Sequence, residues 1–86
     1  MHIIVIPVYN DWKSLNKLLH EINKKCNSKK LIKILIVDDF SSSKPLLNLK
    51  KLNKIKEIKI LELTKNLGSQ KAITIALHYL KEIKSS

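Results

Sequence analysis

Apolar positions along the chain fall into two alternating patterns. His2–Val8 is an unbroken run holding Ile3, Ile4, Val5 and Ile6. Such a run predicts a strand buried on both faces. Pro7 has no N–H to give to a ladder, so the strand is expected to end there. Tyr9, Asn10 and Asp11 form a short loop, with Asn10 or Asp11 placed to cap a helix. Trp12, Leu15, Leu18, Leu19 and Ile22 then recur at helical spacing and predict a helix reaching Lys25. Asn27–Lys30 reads as a polar turn.

Leu31–Val37 is a second strand-like run, stopped by Asp38, Asp39, Phe40 and three serines. Pro45 suits the first turn of a helix, and Leu46, Leu47, Leu49 and Leu52 carry a weaker helical pattern to Asn53. Glu57–Leu63 predicts a third strand through Ile58, Ile60, Leu61 and Leu63. Thr64–Ser69 is a loop with the chain's single glycine, and Gln70–Lys84 places Ala72, Ile73, Ala76, Leu77, Leu80 and Ile83 at helical spacing. The sum is βαβαβα, which predicts an α/β domain with a parallel sheet and right-handed crossovers. Ligands of such sheets bind beyond the carboxyl ends of the strands. That singles out three loops: Pro7–Asp11, Asp38–Ser43 and Thr64–Ser69.

Length then limits what the pattern can be. With 86 residues the chain is one domain. Its stability is expected at roughly 4–13 kcal/mol, from about 0.05–0.15 kcal/mol per residue. Charge changes the picture less than its size promises. The net charge is +10, but all 17 basic residues are lysine. Arginine is the residue of bidentate phosphate and base recognition. With no arginine and 5% aromatic residues, a nucleic-acid partner is not expected. The lysines spread over many elements, and a codon bias towards A and T accounts for the excess of Lys, Ile and Asn. A lone Cys26 forms no disulfide within the chain and suits a reducing cytoplasm. The short N-terminal run lacks a basic leader, and no apolar run approaches the roughly 20 residues of a membrane span.

The loops carry the distinctive chemistry. Two adjacent acids in extended backbone point to opposite faces. One of Asp38 and Asp39 is placed to accept hydrogen bonds from a base or sugar, and the other to cap the loop. Gly68 permits a positive φ or a close backbone approach. The helix start behind it offers free N–H groups to an anion, with Lys71 in its first turn. Neither G-x-G-x-x-G nor G-x-x-x-x-G-K-[ST] is present. His2, His20 and His78 share no ligand spacing and read as structural. Trp12 and Tyr79 read as core residues, while Tyr9 is placed to line a pocket.

Three stretches in order, Ile4-Val5-Ile6-Pro7-Val8-Tyr9-Asn10, Ile36-Val37-Asp38-Asp39-Phe40-Ser41-Ser42 and Lys65-Asn66-Leu67-Gly68-Ser69-Gln70-Lys71-Ala72, resemble the N-terminal part of family 2 glycosyltransferases. The N-L-G-x-Q-x-A form looks most like the branch of dolichyl-phosphate mannosyltransferases and bacterial polyprenyl-phosphate sugar transferases. The resemblance implies a three-layer, Rossmann-like half of a GT-A fold that binds a nucleotide diphosphate sugar. It places Pro7, Val8, Tyr9 and Asn10 beside base and ribose. Asp39 would contact base or ribose, with Asp38 next to it. Asn66, Gly68 and Lys71 would lie along the stretch from base to phosphate.

Departures qualify what is carried over. Phe40 stands where the family usually has Gly, and Ser43 where it usually has Asp. Thr74 and Ala76 replace an Asn or Arg and a Gly. The family's metal-binding D-x-D, its acceptor half and its catalytic base have no counterpart in these residues. Metal-assisted transfer needs carboxylates on Mg²⁺ or Mn²⁺ and a base on the acceptor. The expectation is therefore a truncated, nucleotide-sugar-binding part that binds weakly and is inactive alone, with Mg or Mn belonging to the full-length family. No catalytic and no metal residue is expected among the 86. A cytoplasmic place, at the membrane face where polyprenyl-phosphate acceptors lie, follows from the resemblance. The alternative is a Lys-rich α/β module that binds nucleic acid or an anionic membrane surface. A signalling receiver is disfavoured because its acidic pair would follow the first strand.

Overall fold

The computed structural model describes residues 2–26, 32–43, 47 and 52–85, with side chains up to Lys81. Five elements are seen: β1 (His2–Val8), α1 (Trp12–Lys25), β2 (Ile32–Asp38), β3 (Glu57–Glu62) and α2 (Ser69–Ser85). The three strands form one parallel sheet in the order β1-β2-β3. The expected α/β class with a parallel sheet is what the chain adopts, and it matches the Rossmann-like N-terminal part of a GT-A fold. The polar turn at 27–30 lies outside the described residues, as does most of the helix expected from Pro45 to Asn53. Of the latter's apolar positions, Leu47 and Leu52 are described and pack on the α1 side.

Side chains alternate across the sheet. Ile4, Ile6, Val8, Ile34, Ile36 and Ile58 face α1, where Trp12, Leu15, Leu19 and Cys26 are buried against them. Val5, Leu35, Val37, Leu61 and Leu63 face α2, which meets them with Ala72 and Ala76, both fully buried. Alanine at both contact positions lets α2 lie close to the sheet. The central strand β2 is buried from Ile34 to Asp38. β1 lies at the margin of the sheet among the described residues: it is covered on both faces, by α1 and α2, but only half-buried over Ile4–Pro7, less than the expected burial.

Pro7 does not end β1. The carbonyl of Val8 accepts from the amide of Asp39 at 2.9 Å, so Val8 faces β2. Its neighbour Pro7 faces the open edge, where a missing N–H costs no ladder bond. Likewise β2 runs one residue further than expected. The carbonyl of Asp38 accepts from the amide of Leu63 at 2.9 Å, and Asp38 pairs with Glu62. Asp11 is the cap of α1, its Oδ1 accepting from the Ser14 amide at 3.2 Å. Lys24 and Lys25 occupy the last turn, where cations complement the helix dipole.

One topological feature positions the site. α1 follows β1 on one face of the sheet. The chain leaves β3 for the opposite face, and α2 lies mainly against β1 and β2. The segment from Leu63 to Gly68 must therefore cross back over the strand ends towards β1. Reversals of this kind open a crevice at the carboxyl ends of parallel strands.

Candidate functional site

Three strand-end loops are tied to one another by side-chain oxygens. The first tie is Asn10, at φ 62°. Asparagine tolerates the left-handed region better than most residues. Its Oδ1 accepts from the amides of Ser42 at 2.8 Å and Ser43 at 3.1 Å, with both serine hydroxyls also in reach. Its own amide donates to Ser41 Oγ at 2.8 Å. Trp12, buried at the start of α1, adds a bond from its indole nitrogen to the Ser43 carbonyl at 3.1 Å. The first loop is thereby fixed to the second.

The two acids diverge, as extended backbone requires. Asp38 Oδ1 accepts from the Ser41 amide at 2.9 Å and shapes the turn on its own side. Phe40 within that turn is held at φ 62°, with its ring more than half exposed. Asp39 turns the other way and is 4% exposed. Its Oδ1 accepts from the Leu67 amide at 2.7 Å and its Oδ2 from the Gly68 amide at 2.9 Å. Asn66 Nδ2 returns a bond to the Asp39 carbonyl at 3.2 Å. A carboxylate spanning two successive amides is a charge-assisted, directional clamp. It fixes the third loop to the second, and with it the start of α2.

Gly68 has φ 85°, and a Cβ built on it would meet nothing within 4 Å. Its requirement for glycine is thus conformational and not spatial. The amides of Leu67 and Gly68, just ahead of the helix start, hold the chain's own Asp39.

Between the first and third loops lies an open cleft of about 340 Å³, lined by Pro7, Val8, Tyr9, Asp39, Asn66, Gly68 and Ser69. Six of these seven are among the nine residues singled out from sequence. The other three stand apart from its lining. Asn10 and Asp38 serve the ties just described, and Lys71 is exposed in the first turn of α2. Ser69 went unassigned because a small polar residue at a helix start reads as loop chemistry. Ser41–Ser43 were read as a loop for the same reason, and nothing local marks them as partners of Asn10, over thirty residues away.

The cleft offers an aromatic ring, an amide side chain and a carboxylate edge, which is binding chemistry. No group of three His, Cys, Asp or Glu comes together among the described residues. Asp38 and Asp39 turn to opposite sides, so their carboxylates do not converge on one ion. This donor set does not fit a divalent cation, and no reaction step is drawn through one.

A parallel α/β sheet with a crevice where the chain reverses is the architecture of Rossmann-like domains. The sequence profile of glycosyl transferase family 2 matches residues 3–82, and the chain belongs to that family. No curated protein and no solved structure matches it significantly.

Proposed function

We propose that this chain binds the nucleotide diphosphate sugar donor of a glycosyl transfer in the cleft between Tyr9 and Asn66. The observation that carries the reading is the convergence of Pro7, Val8, Tyr9, Asp39, Asn66 and Gly68, from three separate stretches, on one crevice. Tyr9 offers a face for a base, and spare lone pairs on Asp39 offer an acceptor for a base or ribose. Asn10 and Asp38 act behind the cleft, holding its walls. Lys71 lies within a turn of Gly68 and would meet a phosphate.

Among the described residues no cluster of acidic or metal-ligating side chains comes together, which supports weak donor binding without transfer by these residues alone. The stretch Asn66–Ala72 supports a finer reading, a polyprenyl-phosphate acceptor. Among the described residues no helix is long and apolar enough to cross a membrane. Cys26, buried and unpaired, supports a cytoplasmic place.

A titration of amide resonances with a panel of nucleoside diphosphates tests the reading. The expected result is saturable shifts at Tyr9, Asn66, Gly68 and Ser69 in the millimolar range. Shifts confined to residues away from the cleft, or none at all, overturn it.

A further inference from the structure

The outer face of α1 is built unlike the rest of the surface. Lys13, Lys17, His20 and Lys24 stand at i, i+4, i+7 and i+11 on a regular helix. At about 100° per residue the four fall within an arc of about 60°, and they run some 16 Å along the axis. This arc lies away from Trp12, Leu15 and Leu19, which are buried against the sheet. The three lysines are exposed, and with Ser14, Asn16 and Glu21 they border one shallow surface hollow. The lysines do spread over many elements, but on this helix folding brings three of them into a line.

Three positive charges face one carboxylate, Glu21, across this hollow. The ion pairs among the described residues run from Lys33 and Lys59 to Glu57 on the sheet, and none involves α1. Glu21 is the only carboxylate on the helix. The chain as a whole carries +10, so nothing in its net charge opposes approach to an anionic partner.

We propose that the outer face of α1 docks on an anionic lipid surface through Lys13, Lys17 and Lys24. The chemistry of the line selects that partner. Headgroup attraction needs point charges near a surface, which lysine supplies. Nucleic acid favours arginine forks and stacked aromatic rings. The chain has no arginine, and the line has no aromatic residue. The proposal stands on α1 alone and does not depend on the donor cleft.

Sedimentation of the full chain with vesicles tests it. Binding is expected to phosphatidylcholine vesicles containing phosphatidylglycerol, and not to pure phosphatidylcholine. Each lysine changed to glutamine lowers partition about fivefold, so K13Q/K17Q/K24Q loses about 100-fold. A second variant, K54Q/K56Q/K81Q, removes the same charge elsewhere and loses far less. Equal losses in the two variants overturn the proposal, because net charge alone would then act. So does tighter binding to duplex DNA than to anionic vesicles at about 0.15 M salt. Circular dichroism of both variants verifies that they fold. An unchanged nucleotide titration of K13Q/K17Q/K24Q separates this surface from the cleft.

Discussion

The two ends of the sheet use carboxylates in opposite ways. At the carboxyl ends of the strands, Asp38 and Asp39 are 8% and 4% exposed and accept from backbone amides. At the other end Glu57 stands in solvent and pairs with Lys33 at 3.2 Å and Lys59 at 3.4 Å. Lys33 is its neighbour across the register, so that pair follows from strand pairing alone. The tie described at that end is a neutral one, the Asn23 Oδ1 accepting from the Lys54 amide at 2.8 Å. A small hollow of about 90 Å³ lies there, bordered by Ile3, Leu35, Tyr79 and Leu80 together with Lys33, Glu57 and Lys59. The buried acids fix backbone geometry at the end that carries the cleft. The exposed acid decorates the end that does not. Burial, and not the number of charges, marks the site.

The strongest way to break this contrast is at Asp39. Asparagine there keeps the shape but offers one acceptor oxygen, and turns an N–H₂ towards a backbone N–H. One charge-assisted bond is lost and a partly buried donor is left unpaired, at a cost of about 3 kcal/mol. Against a total of roughly 4–13 kcal/mol this is a large share. Urea unfolding of Asp39→Asn should show the midpoint falling steeply. Amide exchange should quicken first at Leu67 and Gly68. A variant with parental stability would mean that the clamp does not hold the third loop.

Much of this was legible in the chain before its structure. The β-branched runs and the Leu and Ala spacings gave all five described elements, because each period reports which face is covered. Edge status was less legible. Ile3–Ile6 is apolar enough for a central strand, and only the sheet order shows β1 at the margin. The cleft was legible where its residues sit in ordered stretches, as Pro7–Tyr9 and Asn66–Gly68 do. The division of labour was legible only as far as one acid of the pair capping its own loop, as Asp38 does. Asn10 and Asp38 look like ligands in sequence and act as ties, since their partners lie across a turn or in another loop. The line on α1 was readable from its spacing and was hidden by lysines everywhere else.

A smaller effect sharpens the same contrast at Phe40. The glycine usual at this place in the family is explained by the conformation, φ 62°. A bulky residue in the left-handed region costs roughly 1–2 kcal/mol. Glycine removes that cost but adds unfolded-state entropy worth roughly 0.5–1 kcal/mol. Because the ring is 56% exposed, little packing is lost. Phe40→Gly should therefore raise stability by about 1 kcal/mol or less, read as a small rise in Tm. A fall in Tm would show that the ring is held by contacts and that strain does not limit this end.

The least effect is expected at Glu57, and its sign can be worked out. Lys33 lowers the carboxyl's pKa through a hydrogen bond, desolvation opposes it, and Lys59 lowers it further, leaving it below its ordinary 4.5. A group with a depressed folded pKa stabilises above its unfolded value, and that contribution is lost as pH falls through the folded one. Exposure screens both ion pairs, so the contribution is small even near neutral pH. Glu57→Gln should melt slightly below the parent near neutral pH. The gap should close as pH falls through the lowered folded value, below which the parent's carboxyl is protonated as well. If the neutral gap instead matched that of Asp39→Asn, an exposed pair would count as much as a buried clamp. The distinction between the two ends of the sheet would then fail.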